Sequence, residues 1–269
     1  MPLVPILNLE SAQIGKIELP KQFNEPIRED LIFKAFRIAS LNARQPYGSD
    51  PLAGKRKVSK LSRRRRKYKT AYGRGISRVP RKTLARRGAG MWVWVGAKAP
   101  STRGGFEAHP PKIEKRWRLK INKKERRKSI RSALAASFDL NFVSKSHAVP
   151  KNWPFVVSDD FENIEKTSKL REILEKLDFK DELKRCSIKK IRAGKGKLRA
   201  RRVVKRKGPL LVFDKMCKTM LAAKNIPGIE TALVNWLNII LLSHGGRPGR
   251  LVLFTKSALE KISKEQLYV

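Results

Sequence analysis

Residues 51–106 read PLAGKRKVSKLSRRRRKYKTAYGRGISRVPRKTLARRGAGMWVWVGAKAPSTRGGF, and no Asp or Glu occurs among them. Cations recur throughout: Lys55, Arg56, the run Arg63, Arg64, Arg65, Arg66 and Lys67, then Arg74, Arg78, Arg81, Arg86, Arg87 and Arg103. Glycine punctuates the stretch at Gly54, Gly73, Gly75, Gly88, Gly90, Gly96, Gly104 and Gly105. Neither the period of a helix nor that of a strand persists for long. Such a segment buries too little apolar surface to offset the entropy of ordering it. The Debye length at physiological salt is about 8 Å, so neighbouring charges still repel and open the chain. A dense polyanion would order it, and RNA is the obvious one.

The flanks of this stretch are junctions, Arg44-Gln45-Pro46-Tyr47-Gly48 on the way out and His109-Pro110-Pro111 on the way back. Residues 46–111 therefore form a long extended loop inserted in one α/β domain that spans residues 1–269. Folded back on itself, each limb holds about 28 residues and would reach on the order of 90 Å at full extension. Its one apolar cluster, Met91-Trp92-Val93-Trp94-Val95, is either a short strand pair that stiffens the loop or a surface on which unpaired bases stack.

The whole chain has the same bias. Its 269 residues carry 63 Lys and Arg against 23 Asp and Glu, a formal net charge of +40. That charge speaks of partners rather than of fold. Neutralising phosphates releases counterions, so a nucleic acid is the expected partner. An anionic membrane is the competing surface. It is disfavoured, because no stretch approaches the roughly 18 to 20 apolar residues that span a bilayer. Met1 to Asn8 lacks the features of a secretory signal. Cys186 and Cys217 have neither disulfide-scaffold nor metal-site spacing.

The remainder has apolar periodicity enough for a core. Leu3 to Leu9 and Ile14 to Leu19 predict a hairpin. Pro26 to Ala43 predicts a helix with Ile27, Leu31, Ala35 and Ile38 on its inner face. Asn122 with Glu125 predicts a capping box, followed by a stripe of Ile130, Leu134 and Phe138. Lys124, Arg127, Lys128 and Arg131 share another face of that helix and predict a phosphate-facing side. Phe155 to Val157, Leu210 to Phe213, Thr231 to Val234 and Leu251 to Phe254 predict strands. Leu170 to Leu177 and Lys215 to Lys224 predict helices, and Ser257 with Glu260 predicts the capping box of a last one. Strands alternating with helices predict a largely parallel sheet flanked by helices. A second basic loop, residues 184–209, holds Arg192, Lys195, Lys197, Arg199, Arg201 and Arg202.

Motifs for catalysis are missing. Gly73-Arg74-Gly75 and Gly194-Lys195-Gly196 do not continue as dinucleotide or Walker loops. These glycines are expected to let a nucleic-acid strand approach the backbone closely. His109, His147 and His244 have no metal or triad spacing and read as isolated surface residues. No cofactor is expected. An RNA-processing enzyme would need converging acids or histidines near strand C-termini.

Several motifs are similar to those of universal large-subunit ribosomal protein four, in its archaeal and eukaryotic branch. They include Arg44-Gln45-Pro46-Tyr47-Gly48-Ser49-Asp50-Pro51-Leu52-Ala53-Gly54, Gly73-Arg74-Gly75 with Arg78-Val79-Pro80-Arg81, and Ala108-His109-Pro110-Pro111-Lys112. Ile121 to Arg127, Arg192-Ala193-Gly194-Lys195-Gly196-Lys197, Lys207-Gly208-Pro209-Leu210 and His244-Gly245-Gly246-Arg247-Pro248-Gly249-Arg250-Leu251 continue the match in order. The lack of a long extension after Val269 favours the archaeal type. Residues 59–70 are more basic, and 91–95 more aromatic, than the family pattern.

The resemblance implies a structural, cytoplasmic component of the large ribosomal subunit, with ribosomal RNA and neighbouring ribosomal proteins as partners. It implies that the long loop reaches the wall of the nascent-peptide exit tunnel. The tip would lie within Gly73 to Gly96, with Gly73, Gly75, Pro80, Gly88, Gly90, Trp92 and Trp94 as loop residues passed by the nascent peptide. A free RNA-binding regulator of its own message is the alternative.

Overall fold

The computed structural model describes residues 2–67, 70–87 and 91–269, with only the backbone of Arg87, Met91 and Trp92. In chain order the elements begin with β1 (Leu3–Leu7), β2 (Gln13–Glu18), α1 (Glu29–Asn42), β3 (Arg81–Arg87), β4 (Met91–Gly96), α2 (Lys123–Phe138), α3 (Leu140–Val143) and β5 (Val156–Val157). They continue with α4 (Thr167–Lys176), α5 (Lys180–Ser187), β6 (Lys190–Ile191), β7 (Val203–Val204), β8 (Leu210–Phe213), α6 (Lys218–Ala223), β9 (Glu230–Leu233), α7 (Ile239–Leu242), β10 (Val252–Phe254) and α8 (Lys256–Lys264). The chain divides into two compact units, a larger one of Met1–Ala43 with Arg118–Val269 and a basic one of Arg44–Trp117.

The larger unit is mixed α/β. One sheet has the order β2-β1-β5, with β1 antiparallel to β2 and parallel to β5. A second has the order β10-β8-β9 and is parallel throughout. A single parallel bridge pairs Val157 with Thr255. Thus the alternating strand and helix patterns give the class, and the pairing takes the form of several small sheets.

Both faces of the parallel strands are covered, which explains their unbroken apolar runs. Leu210, Val212, Val252 and Phe254 point into one core with Ile32, Ala133, Leu134, Leu259 and Ile262. Leu211, Phe213, Leu251 and Leu253 point into the other, with Phe155, Phe161, Leu170, Leu174 and Phe179.

Several local expectations change in the tertiary context. α1 starts at Glu29, not Pro26, because the Ser132 hydroxyl of α2 accepts from the Arg28 N–H at 2.7 Å and donates to the Pro26 carbonyl at 3.0 Å. Its buried line runs through Ile32 and Ala35 rather than through Leu31 and Ile38. Asn122 does precede α2, but its side chain makes no cap bond. Glu125 instead accepts from Lys34 of α1 at 3.1 Å. The last helix starts after Thr255, so Ser257 is no cap. Asp159 accepts from the Ser257 N–H at 2.8 Å, and Glu162 accepts from the Thr255 hydroxyl at 2.9 Å. Acids from a distant turn thus occupy the positive end of α8.

The basic unit has almost no apolar core. Ala71 and Ala97 are its buried hydrophobic side chains among the described residues. β3 and β4 form an antiparallel pair, and Lys60 bridges to Arg81. The Met91–Val95 cluster therefore lies in the strand pair, which is one of its two expected forms.

Candidate nucleic-acid interface

In the basic unit the two limbs are held against each other by backbone. The Ser49 N–H donates to the Pro111 carbonyl at 3.1 Å. A Cβ on Gly54, whose φ is +74°, would lie 2.3 Å from the Gly105 carbonyl group. A Cβ on Gly105 would lie 2.0 Å from the Ala99 carbonyl oxygen. Only glycine tolerates such contacts. Gly54 therefore serves limb-to-limb packing, and Gly105 also a tight turn within the returning limb. Gly73 and Gly75 differ: both have positive φ and open space around them.

Aromatic rings along the limbs carry cations. Arg44 lies over Tyr47 and Trp117 at 5.1 Å from each ring centre. Lys55 lies over Phe106 at 5.2 Å, Arg78 over Tyr72 at 4.6 Å and Arg74 over Trp94 at 5.7 Å. Such contacts hold the side chain without neutralising it. Trp94 is thus partly covered by an arginine rather than standing free. The unit's acids are Asp50, Glu107 and Glu114. Asp50 pairs with Arg56 at 2.5 Å. Arg81 donates to the Ser77 carbonyl at 2.9 Å and braces its own turn.

Arg63, Arg64, Arg65, Arg66, Lys67 and Arg103 are exposed and have no carboxylate partner among the described residues. Lys57 sits close enough to Lys82 to push that ammonium below its ordinary value. Two like charges held together in this way favour an anion between them. Gly88 and Gly90 lie outside the described residues, as do the side chains of Arg87 and Trp92. Pro80 is half-buried just before β3.

The second basic segment is a small hairpin of β6 and β7 closed by a turn at Gly194–Gly196. Arg192 Nε donates to the Arg201 carbonyl at 2.8 Å and folds along Gly196, where a Cβ would lie 2.4 Å from its Cδ. Arg192 thus closes the loop, while Lys195, Lys197, Arg199, Arg201 and Arg202 stand exposed around it. On α2 the cationic face is already engaged in part. Arg131 donates to Glu25 at 2.8 Å and to the Tyr268 carbonyl at 2.7 Å. Lys128 pairs with Glu25 at 3.5 Å, and Arg127 donates to Val269 at 2.6 Å. Lys124 remains exposed. The face that read as phosphate-facing thus combines bracing by Arg131 and Lys128 with exposed cations at Lys124 and Arg127.

Sequence reading missed a buried charged network in the larger unit. Glu182 is 1% exposed and accepts from Arg185 Nε and Nη2 at 2.7 Å. It also meets His147 Nδ1 at 2.7 Å and the Ala148 N–H at 2.9 Å. Burial would raise its carboxyl, but the bonds from Arg185 and His147 outweigh it and hold the group at about 2. His147 is therefore not the isolated surface residue its spacing suggested. Beside it, burial and Glu182 push the Cys186 thiol up to about 11. Burial likewise raises Cys217, so neither thiol is biased towards the thiolate. The one sequence signal for this region is the motif His244 to Leu251, which brings Arg250 into it.

Among the described residues no group of His, Cys, Asp and Glu is arranged to hold a metal ion, and no helix is long and apolar enough to cross a membrane.

The pattern of the ribosomal protein L4/L1 family matches residues 17–265. The large ribosomal subunit protein uL4 of Nanoarchaeum equitans is 47% identical over 267 residues, covering 98% of this chain and 99% of the relative. The protein of the same name from Sulfolobus acidocaldarius is 42% identical over 95% of this chain and 92% of its own. That from Archaeoglobus fulgidus is 38% identical over 96% and 97%. Extended cationic limbs, a basic hairpin and near full-length similarity agree: the chain belongs to the ribosomal protein L4/L1 family.

Proposed function

We propose that this chain is a structural constituent of the large ribosomal subunit, located in cytoplasmic ribosomes. It binds large-subunit ribosomal RNA through the 46–111 segment and the 184–209 segment, and it supports assembly beside neighbouring ribosomal proteins. Its role is architectural, not enzymatic. The observation that carries this reading is the basic unit, in which a glycine contact sets two limbs side by side and Arg63 to Lys67 and Arg103 stand exposed with no carboxylate partner among the described residues. Arginine forks can bridge two RNA backbones where helices pack closely. The limbs have too small an apolar core to order themselves, so phosphate contacts supply their ordering free energy.

The segment from Gly73 to Gly96 contributes to the wall of the exit tunnel, where the nascent peptide passes it. The open surroundings of Gly73 and Gly75 support a tip at that end. The bridge between Val157 and Thr255 supports reading the two main sheets of the larger unit as one largely parallel platform. A free regulator of its own message would use the same cations, but the relatives' shared name favours the subunit.

Sucrose-gradient fractionation of native lysate, with washes of rising salt, tests this. The chain should stay with large subunits through high salt. A surface-bound factor with about 6 to 10 phosphate contacts loses about 10³ to 10⁵ in affinity between 50 and 200 mM salt. Loss of that kind, or failure to sediment with subunits, would overturn the structural role.

A further inference from the structure

We propose that a cationic basin on the larger unit is a separate RNA site, which seats one backbone phosphodiester. This rests on the RNA-binding role above: it joins the ends of the 184–209 segment to the 244–250 turn, which that role does not include. The basin has a volume of about 290 Å³. Its walls carry Arg185 of α5, Arg206 and Lys207 between β7 and β8, and His244, Arg247 and Arg250 of the 244–250 turn.

Charge is unbalanced there. Glu182 lies beneath Arg185. A single carboxylate, Glu230, serves both Lys207 and Arg250. Arg206 and Arg247 are exposed and have no carboxylate partner among the described residues. Burial, followed by the Lys207 and Arg250 charges, pushes the His244 imidazole down. Its neutral ring remains a hydrogen-bond donor or acceptor within a positive field.

The basin is also rigid, which lowers the cost of binding. Arg250 is 2% exposed and fixed by bonds to the Leu241 carbonyl at 2.6 Å, to Glu230 at 2.7 Å and to the Gly208 carbonyl at 3.2 Å. Gly249 has φ +90°, and a Cβ there would lie 2.4 Å from the Phe142 carbonyl group. Pro248 restricts Arg247 to extended backbone, observed at φ −95° and ψ 134°. The turn is thereby pressed into place with Arg247 at the rim.

The lining selects the ligand. A volume of about 290 Å³ admits a phosphate group, and the cationic walls favour an anion. No Phe, Tyr or Trp lines it to stack a base. The basic hairpin of β6 and β7 leads directly into residues 205–207, so a strand following the hairpin meets the basin next.

The test compares full-length wild type with Arg206→Gln/Arg247→Gln in binding to large-subunit ribosomal RNA transcript across a salt series. Lys16→Gln/Lys176→Gln, two exposed lysines elsewhere on the unit, controls for bulk charge. The basin variant should weaken binding about tenfold or more and flatten the log-affinity against log-salt slope by about 1 to 2. The control should shift neither. An unchanged basin variant, or a control that shifts equally, overturns the basin while leaving the RNA-binding role intact. Failure of wild type to bind overturns both. Calorimetric titration with inorganic phosphate covers the other source of the same chemistry. Tight phosphate binding that the basin variant loses, with no change in its RNA slope, also overturns the assignment to RNA.

Discussion

Glu182 holds together residues that are far apart in sequence, and its ionisation should be visible in stability. A carboxyl held at about 2 against an ordinary value of 4.5 favours the folded state above about pH 4.5. That contribution is lost as pH falls towards 2, because protonation then costs the native state its partners. Glu182→Gln should reduce unfolding free energy at pH 7 by on the order of 3 kcal/mol. The gap between wild type and variant should close as pH drops from 4.5 to 2 in urea titrations. A gap independent of pH would refute the role assigned to this carboxylate. The group was illegible in sequence for a geometric reason. His147 lies 35 positions from Glu182, and no local pattern marks such a meeting. Arg131 teaches the converse. It looked like one of four phosphate ligands, whereas Glu25 and the Tyr268 carbonyl claim its donors.

Strands of the double-covered sheet were the most legible elements, because burial on both faces leaves a plain apolar run. Leu210–Phe213 is read to the residue. Helix starts were less legible, because caps compete with tertiary partners. Glu125 prefers Lys34, and Asp159 replaces a local cap at Ser257. In the basic unit the glycines were legible as special but not in purpose. A paired substitution separates their purposes. Gly54→Ala drives a Cβ into the Gly105 carbonyl group of the other limb on top of the left-handed backbone penalty, and should weaken binding to ribosomal RNA by about 1–3 kcal/mol more than Gly73→Ala, with the salt slope unchanged since no charge is lost. Gly73→Ala meets open space and should cost only the left-handed backbone penalty, about 1–2 kcal/mol at most. Equal losses at the two positions, read by filter binding, would contradict the limb packing.

For the whole molecule, charge and motif order made class, family and partner legible, while the sheet's division into small pieces was not. The free chain should show a stable larger unit and a basic unit cut rapidly by trypsin between residues 50 and 106, since the latter's buried hydrophobic side chains among the described residues are two alanines. Bound ribosomal RNA should slow that cleavage at least tenfold. Equal resistance in the free chain would show that the limbs order themselves. The pairing of β1 with β5 has a further meaning for how the protein is made. Everything from Arg44 to Trp117 is synthesised between these partners. Gln22 must also wait for the Ile262 and Leu267 carbonyls, 240 and 245 positions later. The polycation therefore leaves its own ribosome well before the fold that carries it can close. During that interval it is a bare basic tail among nucleic acids, so shielding it until synthesis ends becomes a requirement of the cell that produces it.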